Sequence, residues 1–358
     1  MAQKITHWLL ITLVLSLGFG QLLRFETPGG AFFIHDILTL VILILNLPVI
    51  AKRTTWQFPG ISLIGLGLCI GWIVAMVRYP MSQLVIPALY LARLVSYLTL
   101  FLSLKQMPKR IPRQVFLASG LITLIIGLMQ YFFLPDMRVF QYLGWDDHLN
   151  RLTLPHFDPT YTGAMLTLFL FMLNKKEQVY IAIGAFAMCL TYARSIYLSF
   201  AAAQIIVLKN VFFLLLVTLF GIYVTFIARR GFGEGTNLLR TYSVESRFGR
   251  DYAVIKETGA YLITGLGYNT LAINNQNSEK GYPNHAVGPN SSYIYILTTS
   301  GIIGLWGWLI FLKYLYARTP HKAAVLFILI ASLFNNVLLY PFTLLWFLLE
   351  EIMAPNEA

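Results

Sequence analysis

Long apolar runs recur from Ile5 to Leu349, and that recurrence leaves the chain one main solvent, the interior of a lipid bilayer. Only 11% of the 358 residues are charged, while 58% are hydrophobic. A water-facing globular surface needs roughly a quarter charged residues, so this chain lacks the material to build one. The formal net charge of +11 does not indicate nucleic acid. The Lys and Arg residues sit in short clusters between apolar runs, which is how membrane topology is written.

A span takes roughly 20 apolar residues, with a range near 17–25. On that ruler the segments are Ile5–Leu23, Ala31–Ile50, Phe58–Val77, Leu84–Leu104, Gln114–Leu134, Pro159–Leu173, Gln178–Ala193, Ser195–Leu208, Val211–Ala228, Ser291–Leu312 and Ala323–Leu349. The expectation is an all-α polytopic integral membrane protein of about 11 transmembrane helices, forming a single domain over residues 1–358. Segments within 178–208 are short. They are either two spans or one helix broken at Thr191–Ser195.

The connecting charges alternate. One side collects Lys4, Lys52, Arg53, Lys105, Lys109, Arg110, Arg113, Lys175, Lys176, Lys209, Lys313, Arg318 and Lys322. The other side's short loops carry Arg24, Arg78, Arg138, Arg151 and Arg194. The positive-inside rule puts the N-terminus in the cytoplasm and two larger loops outside, 135–157 and 229–289. Reading 178–208 as one span would reverse the following loops and spoil that pattern. Cys69 and Cys189 each lie inside an apolar run and predict no disulfide. The N-terminal run reads as a retained first span, with no small-residue cleavage site before Arg24.

Few polar residues are candidates for chemistry. Arg194, in Thr191-Tyr-Ala-Arg-Ser195, lies between two short apolar stretches. A guanidinium at the outer end of a helix pair is suited to a bidentate grip on phosphate, or it snorkels at the interface. Arg247, in Ser246-Arg-Phe-Gly-Arg250, would complete such a clamp or is simply a solvated loop arginine. His285, in Tyr282-Pro-Asn-His-Ala286, has the chemistry of a general base near neutral pH. Arg93 lies midway along an apolar run and needs a buried partner or a watery cavity; Asp36 opens another run on the outer side. Asp146-Asp147-His148 has no trustworthy metal spacing, so no metal site is expected. No phosphate-cradling Gly-rich motif is present, and no cofactor is expected.

The order of motifs resembles the O-antigen ligase and O-antigen polymerase family of bacterial envelope proteins. The residues that carry the resemblance are Gly20-Gln-Leu-Leu-Arg24, Asp36-Ile-Leu, His156-Phe-Asp-Pro159 and the Thr-x-x-Arg-Ser break at Arg194. Arg247, Gly265-Leu-Gly267, Asn290-Ser-Ser-Tyr-Ile and Ser300-Gly-Ile-Ile-Gly-Leu305 follow in order. The resemblance spans nearly the whole chain through short, tolerant motifs. It implies a fold like the lipid-sugar-dependent (C-type) glycosyltransferases and metal-independent transfer on the periplasmic face of the bacterial inner membrane. The implied partners are a polyprenyl-pyrophosphate glycan donor, a glycan or lipid acceptor, and the surrounding membrane lipids. It assigns the pyrophosphate grip to Arg194 and Arg247; Asn290, Tyr293, Asp158, Asp36 and Arg93 are the further candidates for substrate binding. The family's histidine just before the span that begins near Ser291 is replaced here. The chain reads Asn290-Ser-Ser-Tyr-Ile, and the nearest histidine is His285, five positions earlier. The rival expectation is a transporter or flippase of lipid-linked glycans, which more often shows two related halves; none is visible in this sequence.

Overall fold

The computed structural model describes residues 2–27, 30–52, 58–105, 111–226, 235–276 and 288–353. The chain is mostly helical: α1 (Ala2–Leu17), α2 (Ile34–Lys52), α3 (Ile61–Arg78), α4 (Met81–Leu104), α5 (Arg113–Phe133), α6 (Pro159–Met172), α7 (Gln178–Cys189) and α8 (Arg194–Ala203). Then follow α9 (Val211–Phe226), α10 (Tyr242–Thr258), α11 (Leu271–Gln276), α12 (Ser292–Arg318), α13 (Lys322–Phe334) and α14 (Pro341–Glu350). A two-stranded antiparallel hairpin of β1 (Arg24–Thr27) and β2 (Gly30–Phe33) precedes α2 and qualifies the all-α expectation. Cys69 and Cys189 are both free thiols.

Among the described residues, four helices are long and apolar enough to cross a membrane alone: α3, α4, α5 and α12. The other apolar helices are shorter, so about eleven full-length spans are not supported. Two breaks account for part of the difference. The stretch 178–208 is two short helices separated at Leu190–Ala193, with Tyr192 in the left-handed backbone region at φ 52°. The expected last span, Ala323–Leu349, is a hairpin: α13 and α14 turn back on each other at residues 335–340. His321 before α13 stands 3.3 Å from Glu350 at the end of α14, so both outer ends of that hairpin meet.

A broken helix in an apolar setting must satisfy the backbone groups it frees. At the first break, Arg151 donates from Nε and Nη2 to the Thr191 carbonyl at 3.1 and 3.0 Å, and the Leu152 amide donates to Leu190 O at 2.9 Å. At the second, Ser292 Oγ donates to Asn335 O at 3.2 Å. A third break lies inside α12 at Gly301, whose φ of +67° suits glycine. The carbonyls of Thr298 and Thr299 accept the amides of Leu266 and Gly267 at 2.9 and 3.0 Å. The Gly265-Leu-Gly267 and Ser300-Gly301 motifs therefore meet as one backbone-pairing device.

Helices α3 and α12 pack at backbone distance. A Cβ on Gly67 would lie 2.5 Å from Gly304 N, and one on Gly71 would lie 2.5 Å from Thr299 O. Small residues four apart on one face permit this approach, which dispersion then rewards along the contact. Helix α6 sits at the centre, with every residue from Thr162 to Leu170 buried. Asp158 caps it, accepting the amides of Thr160 and Tyr161 at 2.6 and 3.1 Å, with Pro159 in the first turn.

The polar connections gather at two ends. One end holds Arg113 with Glu177 at 2.5 Å, Lys105 with the Glu351 carbonyl at 2.7 Å, and the His321–Glu350 pair. The other end holds Gln21, which donates to His156 O at 3.2 Å, together with Arg151, the α7–α8 break and the 235–270 segment.

Candidate functional site

Both helix breaks open toward the same polar end. The α7–α8 break delivers Arg194 and Ser195, and the α13–α14 break delivers Asn335. Asn335 Nδ2 donates to Ser195 Oγ at 2.6 Å, and its Oδ1 accepts from Arg247 Nη1 at 2.7 Å. This amide ties the start of α8, the turn after α13 and the second turn of α10 to one point.

Around it lies a cavity of about 260 Å³ whose walls include Arg151, Arg194, Arg240 and Arg247. Ser243, Thr160 and Asp251 add polar surface, and Phe248 and Phe334 add apolar surface. Arg194 is held from outside: Nη1 donates to Arg240 O at 2.5 Å and to Leu238 O at 3.2 Å, and Nη2 donates to Ser243 Oγ at 2.9 Å. Arg240 Nη2 in turn donates to Tyr192 O at 3.3 Å. These contacts with neutral carbonyls and a hydroxyl orient the guanidinium groups.

Their charges act on one another. Burial, and then the neighbouring Arg240 guanidinium, bring Arg151 down to about 10. Burial and then the Arg151 charge hold His148 at about 3, so it stays neutral near pH 7. Burial pushes Asp158 upward. A cluster of like charges in a partly enclosed space is stabilised by an anion with several oxygens, and a diphosphate is the natural fit to paired guanidinium forks.

Of the residues expected from the sequence, Arg194 and Arg247 line this same cavity. Asn290 is near it: its amide donates to Asp251 Oδ1 at 2.7 Å, and its side-chain Nδ2 is buried without a partner. Tyr293 is elsewhere; its hydroxyl donates to Leu329 O at 2.8 Å and pins α12 to α13. Asp158 caps α6 behind the cavity wall. His285 lies outside the described residues.

Asp36 and Arg93 belong to a different place. Arg93 Nη2 donates to Asp36 Oδ2 at 2.8 Å and to Ala31 O at 2.5 Å. Tyr97 donates to Asp36 Oδ1 at 2.5 Å, and the Phe33 amide to Asp36 Oδ2 at 3.0 Å. Asp36 is thus the buried partner that Arg93 requires, and the pair seats the hairpin against α4.

The donor atoms of Asp146, His148 and Asp158 lie within 4.8 Å of one another. Asp158, not Asp147, completes the group, which no local spacing could reveal. Arg151 stands close enough to lower the His148 pKa, and that same positive field opposes a divalent cation. Sequence reasoning passed over Arg151, Arg240 and Asn335. The first two were visible only as arginines in outer loops, and Asn335 was hidden inside an apolar run.

Compared with family models, curated proteins and solved structures, the chain matches none.

Proposed function

We propose that this protein is an O-antigen ligase- or polymerase-like glycosyltransferase of the bacterial cytoplasmic membrane, with its polar cavity on the outer face and its N-terminus in the cytoplasm. The donor is a glycan on a polyprenyl pyrophosphate. The observation that supports this most is the shared cavity of Arg194 and Arg247, distant in sequence, with Arg151 and Arg240 beside them.

In this reading the donor's diphosphate sits against the guanidinium groups. An acceptor hydroxyl attacks the anomeric carbon, and the bond from that carbon to the phosphate oxygen breaks. The lipid diphosphate leaves with the electron pair, and its growing charge is stabilised by groups already in position. The acceptor's proton passes to a base, for which His285 is the candidate from the sequence. Electrostatic stabilisation from fixed guanidiniums needs no metal.

A transporter or flippase would be expected to need Arg93, at membrane depth, as much as Arg194. The Arg93 charge is bound by Asp36, away from the arginine cavity.

Arg247→Ala and Arg194→Ala are each expected to lower transfer from a polyprenyl-pyrophosphate glycan by about 100-fold or more, the scale of losing one charge-stabilising donor. Membrane insertion of Arg247→Ala should match the parent, since the bond it loses is to the neutral amide of Asn335. Full transfer activity in both variants would sink the proposal.

A further inference from the structure

A second, larger cavity of about 760 Å³ lies on the same end of the bundle, between the hairpin, the start of α4 and the α13–α14 break. Its volume is in the range of about 300–1,000 Å³ typical of small-molecule sites. Its lining is unusually polar for so apolar a chain. Tyr90, Tyr268, Tyr340 and Trp145 present aromatic surface, and Gln21, Gln83, Asn269 and Asn336 present carboxamides.

The charges in this chamber are already matched. Arg24 Nη2 pairs with Glu26 at 2.9 Å, and Arg93 with Asp36 at 2.8 Å. These matched pairs leave less reason for a phosphate to bind here than beside the four arginines of the neighbouring cavity. The carboxamides also disfavour an acyl or prenyl chain, which would leave them unpaired. Two polar atoms at the chamber wall are buried and without a partner: the donor Arg24 Nε and the acceptor Asn336 Oδ1. An uncharged ligand with both apolar C–H faces and many hydroxyls meets all of these conditions. Sugar rings have that character: C–H faces lie on aromatic rings, and hydroxyls bond to amides in both directions.

The two cavities share their dividing wall. Thr160 lines the arginine cavity and Tyr161, the next residue, lines the chamber. Phe334 lines the first and Asn336 the second, with Asn335 between them holding Arg247. The Tyr161 and Tyr340 rings stack at 3.8 Å and 7°, making the partition rigid and flat.

We propose that this aromatic, carboxamide-lined chamber is a carbohydrate-binding site that holds sugar residues next to the arginine cavity. The inference rests on the transferase reading only for its purpose; the binding itself does not require catalysis. The sugar comes either from the acceptor glycan or from the distal part of the donor glycan.

The test uses the purified full chain in phospholipid nanodiscs. Saturation-transfer difference NMR is recorded with three soluble oligosaccharides: a glucose trisaccharide, an N-acetylglucosamine trisaccharide and a rhamnose-containing trisaccharide. At least one should show saturation transfer. Ser82→Trp, at an exposed position lining the chamber, should occlude it and reduce the signal at least five-fold. Asn336→Ala should reduce it likewise.

A disaccharide linked to farnesyl diphosphate separates the two sources. If Ser82→Trp also weakens its binding five-fold, the chamber holds donor sugar; if it does not, the chamber holds acceptor sugar. Absence of transfer to all three oligosaccharides overturns the proposal, as does a signal indifferent to both Ser82→Trp and Asn336→Ala. Saccharide binding without any binding of farnesyl diphosphate keeps the chamber and removes the transferase reading.

Discussion

At the scale of single residues, Asn335 carries more of the arrangement than its type suggests. Its two amide atoms face opposite needs: Oδ1 accepts from Arg247 and Nδ2 donates to Ser195. An uncharged amide orients the guanidinium and leaves its charge for a ligand. Asn335→Asp keeps an acceptor for Arg247 and adds a competing negative charge. We expect this variant to raise the KM for a polyprenyl-pyrophosphate donor by about 10-fold or more, the effect of a lost charge-assisted contact. Asn335→Ala should lower kcat/KM with a smaller change in KM. If the aspartate variant is kinetically equal to the parent, Asn335 does not position Arg247 for an anion.

Helices and their junctions are the next scale. The α3–α12 contact depends on glycine where the two backbones meet, and a pair of nearby positions separates packing from helix propensity. At Gly67 an added side chain meets the backbone of Gly304; at Gly65 it meets nothing within 4 Å. Both lie in the same helix. Gly67→Leu should therefore destabilise the protein by about 1–3 kcal/mol through overpacking, read as a lower Tm in detergent. Gly65→Leu should be neutral or slightly stabilising. Equal Tm values for the two variants would contradict the close packing described here. The breaks at 190–193 and 335–340 follow the same logic of local necessity. Each frees backbone groups, and Arg151, Ser292 and the Leu152 amide take them up.

For the whole molecule, the polar end stores a dependence on pH. His148 and His156 lie in the segment between α5 and α6, and burial is the first cause that brings each from 6.5 to about 3. Between those values the unfolded chain binds protons that the folded one refuses. Stability therefore declines as pH falls from 6.5 toward 3 and is unaffected by these groups above 6.5. Thermal unfolding of the purified protein should show Tm dropping from about pH 7 to about pH 4.5, with the slope reduced in His148→Gln, since removing one such group removes its proton linkage. A parent Tm that stays constant over that interval would contradict the buried, neutral state of both rings.

The sequence by itself determined that the chain is helical, with apolar runs long enough to cross a membrane. The apolar runs are long and the charges are grouped between them, and both are local properties that composition and order record. It also isolated Arg194, because an arginine beside apolar stretches is conspicuous wherever the chain folds, whereas Arg247, in a polar loop, stood out only through the order of motifs. Tertiary structure decided the rest. Helix termini within apolar runs, as at 335–340, depend on distant side chains that satisfy the freed carbonyls. The partner of Arg93 is Asp36 because the hairpin brings α2 against α4. Arg151 and Arg240 join Arg194 and Arg247 only when two separate breaks face one end of the bundle. Contacts between elements far apart in the chain leave no periodic trace in either element, so the cavity's composition had to be read from the folded molecule.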